Sequence, residues 1–287
     1  MRSLRTDSTY ASILFDSVRA RLLNRNKNWL AIICGETGSA KSYNALSIAD
    51  RICPRGISAR RCVVFNPVQF LNRVTERKDL KKGDIIIFDE AGVGMSSREW
   101  YSVQNKLLGS VLQTFRNLNV GVIFTTPNLS FVDVQARKLF HNYFETAYID
   151  YKKEIAYMKA YEIQHNSRYD KTYYKHPRIK DASGRVVSVS YLGIPKPRKD
   201  LILEYEQMKS EYTEQLNSKA LETLTMPKEK KSTKLDYKSL AEDIKGRHKE
   251  FINRKGRIDT DLIAADLRIS PTVARVIKKT VERDIGL

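Results

Sequence analysis

The sequence has no long apolar run, few cysteines and fewer acidic than basic residues. No uncharged apolar stretch approaches the length needed to cross a bilayer, and Arg and Asp interrupt the apolar residues of the N-terminus. The cysteines, Cys34, Cys53 and Cys62, are odd in number and lack the spacing of metal ligands, which argues against a disulfide framework. We therefore expect a soluble, cytoplasmic protein in a reducing compartment, with no membrane span.

The charge balance is strongly positive. Lys and Arg number 51 against 33 Asp and Glu, which gives a formal net charge of +18 over 287 residues. The excess is spread along the chain and is densest after residue 228, so one basic tail does not account for it. Clustered positive charge releases counterions from nucleic acid, which favours DNA as a partner. An anionic membrane surface is the alternative partner.

A phosphate-binding loop follows the apolar run 30–34 and precedes a helical pattern that begins at Tyr43. The loop reads Gly35, Glu36, Thr37, Gly38, Ser39, Ala40, Lys41, Ser42. In the motif G-x-x-x-x-G-K-[ST], backbone amides cradle phosphate, the Lys reaches the β- and γ-phosphates, and the hydroxyl holds Mg²⁺. The segment predicts binding of ATP and Mg²⁺, and the alternative is a Gly- and Ser-rich turn that binds nothing.

Ala40 stands where the motif has its second glycine. Alanine adds one methyl group and suits a backbone that starts a helix. The loop closes normally if this position does not need a positive φ, a conformation that glycine adopts without the steric cost that other residues incur. The departure weakens the match to the motif without cancelling it.

A second motif ends in two carboxylates. Residues 84–88 form an apolar strand pattern that is followed by Asp89 and Glu90. A continuous apolar run is typical of a strand covered on both faces, and functional groups of parallel sheets gather at the carboxyl ends of strands. Asp89 is the candidate for holding Mg²⁺, and Glu90 is the candidate for activating water. A solvated acidic turn after a core strand is the alternative.

Strand and helix patterns alternate from residue 29 to 150, and this order predicts an α/β fold with a mainly parallel, RecA-like sheet. The expected elements are an amphipathic helix at 8–24 that packs on its own core, strands at 61–65 and 120–126, and helices from Pro67, at 99–117 and at 132–140. From 143 to 197 the pattern changes to Tyr-rich alternating strands with a hairpin turn at 181–184. These tyrosines suit strand pairing, and base stacking is the alternative. A charged helix is expected at 201–224.

The C-terminal segment has the layout of a helix-turn-helix. Ile263, Leu267, Ile269, Ala274 and Ile277 fall where this motif buries apolar side chains, and Ser270 and Pro271 suit the start of its second helix. A preceding helix over 239–254 completes a three-helix unit. That second helix normally lies in the major groove, so the candidate DNA contacts are Thr272, Val273, Arg275, Lys278 and Lys279. A small bundle that binds protein is the alternative.

The stretch 35–145 resembles the FtsK/HerA superfamily of P-loop ATPases, and in particular the zonula occludens toxin-like ATPases of phages and similar proteins of archaeal viruses and plasmids. The resemblance is carried by residues 35–42, 88–91, 115–117, 125–128, 131–133 and 137. It implies a ring hexamer in which an Arg of one subunit reaches the ATP of its neighbour. Arg98, Arg116 and Arg137 are candidates, and Arg116 is placed in the catalytic set with Lys41, Glu90 and Thr126. Thr126 stands where the family usually has a sensor Gln.

Together, the motifs and the resemblance predict an ATP-hydrolysing DNA translocase or helicase-like motor of a virus or mobile element. Its expected segments are a helix at 1–28, an ATPase core at 29–150, a β-rich extension with a helix at 151–224, a linker at 225–234 and a helix-turn-helix domain at 235–287. An ATP-dependent DNA-binding switch with slow turnover is one rival. A P-loop kinase is the second, although no clear lid segment is present.

Overall fold

The computed structural model describes residues 8–76, 79–89, 118–132, 134–181, 183–225, 237–253 and 257–286. Internal contacts divide the chain into two compact units, with the division between Asn217 and Ser218. The helix expected at 99–117 lies outside the described residues. No helix among the described residues combines the length and the apolar character that a membrane crossing requires.

The first unit is an α/β structure built on one large sheet. Its strands are β1 Trp29–Cys34, β2 Val63–Val64, β3 Ile85–Phe88, β4 Gly121–Thr126, β5 Asn142–Asp150, β6 Ile155–Asn166, β7 Lys171–Lys175 and β10 Tyr191–Pro195, with β8 Arg178–Lys180 and β9 Val186–Ser188 in a separate hairpin. Its helices are α1 Ser8–Leu23, α2 Lys41–Ile52, α3 Ala59–Cys62, α4 Pro67–Glu76, α5 Val134–Arg137 and α6 Lys199–Thr225, of which the last extends past the division.

The strand order is β10-β6-β5-β1-β4-β3-β2, and β7 pairs with β6. The pairs within β5-β1-β4-β3-β2 are parallel, whereas β6 is antiparallel to β5, β7 and β10. This confirms the mainly parallel, RecA-like sheet and the β-rich extension beside it. Because parallel strands meet the same sheet edge with their carboxyl ends, β1, β3 and β4 deliver their following residues to one place.

The central strands are apolar because both sheet faces are covered. Every residue of β1, β3 and β4 is buried. Alternate residues of β1 enter different cores: Ala31 and Ile33 pack with α1 and α2, while Leu30 and Ile32 pack with α4. On the α4 side, the rings of Phe70 and Phe88 stack with centroids 5.5 Å apart. The continuous apolar runs therefore follow from double-sided burial.

Of three expected elements, one agrees with the structure and two are shorter than expected. α1 packs on its own unit through Tyr10, Leu14, Val18 and Leu22, all buried. The strand expected at 61–65 is shorter, because the chain turns helically in α3 until Cys62 and only two residues pair as β2. The helix expected at 132–140 is reduced to α5, because Asn128 accepts a hydrogen bond from Ser130 N and starts a 3₁₀ turn at Leu129–Phe131 instead.

The second unit contains α7 Tyr237–Gly246, a 3₁₀ turn at His248–Phe251, α8 Thr260–Asp266 and α9 Pro271–Ile285. Its core is formed by side chains from all four elements together with Ile258, which precedes α8: Ala241, Ile244, Phe251, Ile258, Ile263, Ala274, Ile277 and Val281. Ser270 caps α9, since its hydroxyl accepts from Val273 N at 3.4 Å, and Pro271 takes the first helical position. Arg268 in the turn between α8 and α9 has φ 52°, where a glycine is usual.

His141 makes the stability of the first unit depend on pH. Its Nδ1 accepts a hydrogen bond from Leu30 N at 3.0 Å, and its own backbone N donates to Leu30 O at 2.8 Å. Burial, with a smaller contribution from Arg21, lowers the pKa of His141 to about 4. In the unfolded chain His141 takes up a proton near pH 6.5, whereas in the folded chain it does so only near pH 4. The free energy of unfolding therefore falls as the pH drops from about 6.5 to 4.

We expect the free energy of unfolding to fall by about 2 kcal/mol between pH 6.5 and pH 5 through this histidine. Urea denaturation followed by tryptophan fluorescence measures this, and His141→Gln provides the comparison. The variant should be less stable near pH 7 and should lose this part of the pH slope. An unchanged slope in the variant would show that His141 is not the titrating group.

Candidate functional site

The phosphate-binding loop connects β1 to α2 at the carboxyl edge of the sheet. Gly35 is required by a close approach, because a Cβ built there would lie 1.8 Å from Thr146 Oγ1 of β5. The same Oγ1 lies 2.9 Å from Ser39 Oγ, and Ser39 Oγ donates to Glu36 O at 2.6 Å. Thr146 of β5 therefore contacts the loop at both Gly35 and Ser39.

Ala40 has φ 64° and ψ 24°, which is the left-handed conformation. The condition stated for normal closure of the loop, a position 40 without positive φ, is therefore not met. The physical reason is the connection itself, since Ala40 is the N-cap of α2 and its carbonyl accepts from Asn44 N at 2.8 Å. An alanine in this conformation costs about 1 to 2 kcal/mol relative to the right-handed region, and the surrounding loop holds it there.

Lys41 and Ser42 begin α2 beside the loop. Lys41 Nζ donates to Glu36 O at 2.8 Å, so its ammonium lies over the loop. Ser42 Oγ donates to Asp89 Oδ1 at 2.7 Å, which joins the loop to the end of β3. An ammonium, the amides of the loop and a hydroxyl next to a carboxylate suit the phosphates of a nucleotide and its Mg²⁺. Sequence motifs 47 residues apart are thus brought together.

Asp89 is fully buried and receives hydrogen bonds on both oxygens. Thr125 Oγ1 donates to Oδ1 at 2.7 Å, and Tyr205 OH donates to Oδ2 at 2.6 Å. Lys209 Nζ lies 3.8 Å from Oδ2 and adds a positive charge. A carboxylate held in this way keeps one orientation, which is what a group that positions a metal requires.

The described residues contain no group of three or more His, Cys, Asp or Glu side chains able to enclose a metal. A hydroxyl next to one buried carboxylate, as in Ser42 and Asp89, suits Mg²⁺, which commonly keeps several waters and takes its other ligands from one or two carboxylates and the substrate phosphates. The residues that are present therefore fit Mg²⁺ bound together with a nucleotide. Ser42 and Asp89 are the side chains that would hold it.

The two threonines that end β4 have different surroundings. Thr125 faces Asp89, because the register pairs Phe88 with Phe124 and places the following residues side by side. Thr126 is also buried, but its hydroxyl donates to Asn128 O at 3.4 Å. Period-two alternation along a strand sends the two side chains to opposite faces. Thr125, which the sequence analysis left out of the catalytic set, is thus the threonine that contacts the carboxylate.

α6 contributes side chains that the sequence analysis did not assign to the site. Tyr205 and Lys209 lie one turn apart and reach Asp89, and Glu206 Oε1 accepts a hydrogen bond from Tyr43 OH at 2.9 Å. The apolar spacing of Leu201, Tyr205, Met208 and Tyr212 predicts a buried face for this helix. That signal shows that α6 packs on something, but not that it packs on the phosphate-binding loop.

A cavity of about 720 Å³ opens beside the loop. Lys41 and Ser42 line one side. Apolar and aromatic side chains form much of the remaining lining: Tyr43, Ile149, Tyr151, Ala156, Ile194, Pro197 and Tyr205. Charged side chains also border the cavity: Glu154, Lys196, Glu206 and Lys209. Asn44 also borders it, and its buried Nδ2 has no hydrogen-bond acceptor in the described part of the chain. Cavities of this size and lining hold small organic ligands. The space suits the sugar and base of a nucleotide whose phosphates lie on the loop.

Other predicted catalytic residues cannot be placed in this site. Glu90, Arg98 and Arg116 lie outside the described residues. Arg137, at the end of α5, donates from Nε to Val132 O at 2.9 Å, so part of its guanidinium caps the local chain.

In the second unit, Thr272, Arg275 and Lys279 are exposed on one face of α9. Val273 does not share this face, because it packs against the core of the unit. The valine on the exposed face is Val276, which is 51% exposed. Lys278 is partly covered and forms an ion pair with Glu282 at 3.6 Å.

Comparison with known proteins gives one family. Residues 68–209 match the family model described as zonular occludens toxin (Zot). The match includes β3, Asp89 and the part of α6 that reaches it, and it begins after the loop at 35–42. The N-terminal domain of zonular occludens toxin from Neisseria meningitidis is a similar solved structure, with 15% identity, coverage of 52% of this chain and 93% of that chain, and a TM-score of 0.32. No curated protein matches the chain.

Proposed function

We propose that this chain, which matches the zonular occludens toxin (Zot) family model over residues 68–209, is an ATP-hydrolysing motor that moves DNA of a virus or mobile element. The match supports the general reaction, nucleotide hydrolysis by a P-loop site. The observation that carries the proposal is the bond from Ser42 to Asp89, 2.7 Å long, at the carboxyl edge of the parallel sheet. It joins the two motifs that a P-loop ATPase needs in one site.

In the proposed reaction, residues 35–42 hold the phosphates through backbone amides and through the ammonium of Lys41. Ser42 and Asp89 would hold Mg²⁺, which would supply positive charge to the phosphates of the bound nucleotide. Glu90 accepts a proton from the attacking water, and Arg116 of a neighbouring subunit in a ring stabilises the transition state. Thr125 and Tyr205 keep Asp89 in one orientation through their hydrogen bonds to its two oxygens.

DNA is the proposed partner because the chain is strongly basic and its second unit has three helices around one core. In that unit α9 presents Thr272, Arg275, Val276 and Lys279 on one exposed face. This face is the part of a helix-turn-helix that enters the major groove. We assign Arg275 to base edges or phosphates and Lys279 to phosphates. Residues 235–287 thus form the proposed DNA-binding domain, joined by the linker 225–234 to the ATPase part.

The test compares ATP hydrolysis with and without DNA. A motor should hydrolyse ATP at least about fivefold faster when duplex DNA is added, which corresponds to a coupling of about 1 kcal/mol or more. The variant Arg275→Glu/Lys279→Glu should keep the basal rate and lose the stimulation. An ATP-dependent switch would bind DNA with little turnover, and a kinase would ignore DNA. Either result would contradict the proposed motor function.

A further inference from the structure

The hairpin of β6 and β7 carries an exposed basic and aromatic face. The register places Gln164 opposite Tyr173 and Asn166 opposite Lys171. Since directly opposed residues of an antiparallel pair share a face, Gln164, Asn166, Lys171, Tyr173 and Lys175 lie on one side, which we call the β7 face. All five side chains are exposed, and the ring of Tyr173 is 43% exposed. In the described part of the chain, β7 pairs with no strand except β6.

The turn between these strands continues the same chemistry. Tyr169 is 61% exposed, and the guanidinium of Arg168 lies over its ring at 5.5 Å from the centroid. On the strand, Lys175 Nζ lies 5.8 Å from the centroid of Tyr173. Tyr169 and Tyr173 therefore each have a cation beside the ring. Strand tyrosines that serve only cross-strand packing do not need this arrangement.

The basic residues of this region outnumber the acids near them. Glu162 lies directly opposite Lys175 on the same side of the hairpin and is partly buried. Among the described residues, Arg168, Lys171 and Lys175 form no ion pair with an acid, whereas Lys138 does. Asp170, the acid of the turn, forms an ion pair with Lys138, and His165 Nε2 lies 3.6 Å from Asp170 Oδ1. His165 lies on the side of the hairpin opposite to the β7 face, because it is one residue from Gln164. The β7 face and the turn therefore attract polyanions.

Exposed rings beside cations fit a single-stranded nucleic acid better than a duplex. The faces of bases in a single strand are free to stack on Tyr, while Lys and Arg meet the phosphates. In a duplex the base faces are covered by neighbouring pairs, so only the cations of this surface would be used. Sheet faces with aromatic residues bind single strands in this way in other folds.

We propose that the β7 face, with Arg168 and Tyr169 of the turn, is a binding site for single-stranded nucleic acid on the ATPase unit. Tyr173 and Tyr169 stack on bases, Lys171 and Lys175 contact phosphates, and Gln164 bonds a base edge. The site is separate from α9, and it extends the proposed function by giving the unit that hydrolyses ATP its own contact with DNA. A strand separated or threaded during movement is the ligand that such a site holds.

The test measures binding by fluorescence anisotropy, using a labelled mixed-sequence single strand and the matching duplex with the full chain. Tyr169→Ala/Tyr173→Ala should weaken single-strand binding about tenfold or more, while duplex binding changes less than about twofold. Tyr169→Phe/Tyr173→Phe should retain binding. Lys171→Glu/Lys175→Glu should weaken binding and reduce the salt slope by about 1.4, whereas the control Lys152→Glu/Lys153→Glu should not.

Equal single-strand affinity in the wild type and Tyr169→Ala/Tyr173→Ala would overturn the proposal. So would a change of oligomeric mass in that variant with unchanged DNA binding, since the face would then be a protein interface. All measurements are made without nucleotide and repeated with Lys41→Ala. Suppose that Lys41→Ala still binds single strands and that hydrolysis by the wild type does not respond to DNA. The proposed motor function would then be wrong, while the proposed binding site would stand.

Discussion

Replacing Lys41 by alanine should reduce ATP hydrolysis at least about a hundredfold, because the ammonium beside the loop is the charge available to the β- and γ-phosphates. The side chain bonds Glu36 O and is exposed, so the fold should lose little stability. DNA binding by the second unit should stay within about twofold of the wild type. The measurements are phosphate release under saturating ATP, thermal unfolding and anisotropy with duplex DNA.

The matched control is Lys153→Ala, which removes an exposed lysine from the turn between β5 and β6. It should keep the wild-type rate of hydrolysis. If Lys41→Ala retained hydrolysis within about threefold of the wild type, the loop would not be the hydrolytic site. If the variant lost DNA binding as well, the two proposed activities would share residues, contrary to their assignment to different units.

The features that sequence could predict depend on neighbours in the chain. The loop at 35–42 is recognisable because strand, glycines, lysine and helix follow in order, and Asp89 because it ends an apolar strand. Parallel pairing then brings Ser42 and Asp89 to one edge without further information. α1 and the core of the second unit follow from helical spacing for the same reason.

The missed residues depend on contacts that no local pattern encodes. Tyr205 reaches Asp89 from 116 residues away, and a charged helix with one apolar face does not say which surface it covers. Thr125 and Thr126 are adjacent and equally polar, so only the register of β4 against β3 decides which of them meets the carboxylate. The φ of Ala40 depends on the angle between loop and helix, which the residue type alone would not favour.

The contacts of Asp89 give α6 a role in the site. Three hydroxyls from α2, β4 and α6 share one buried carboxylate, and Nζ of Lys209 in α6 lies 3.8 Å from its second oxygen. Removing the negative charge therefore affects metal binding and the position of α6 together. Removing one hydroxyl affects mainly the orientation of the carboxylate. Comparing these two changes distinguishes the effect of the charge of Asp89 from the effect of its orientation.

Asp89→Asn should reduce Mg²⁺-dependent hydrolysis at least about a hundredfold, because it keeps the shape of the side chain and removes the charge that holds the metal. Nucleotide affinity without Mg²⁺ should be nearly unchanged, and the gain in affinity on adding Mg²⁺ should disappear. Titration of a fluorescent ATP analogue with and without Mg²⁺ measures both. Asp16→Asn is the control, since Asp16 is an exposed carboxylate paired with Arg51, and it should behave as the wild type.

Tyr205→Phe tests the geometry alone. It removes the donor to Asp89 Oδ2, a bond of 2.6 Å between two buried groups, and keeps the charge. We expect a loss of about 1.5 to 3 kcal/mol in the free energy of unfolding, the cost of a lost hydrogen bond to a charged group. Hydrolysis should fall less than in Asp89→Asn, and the effect of Mg²⁺ on nucleotide affinity should persist. Loss of that effect in Tyr205→Phe would mean that the orientation of the carboxylate, and not its charge alone, decides whether the metal binds.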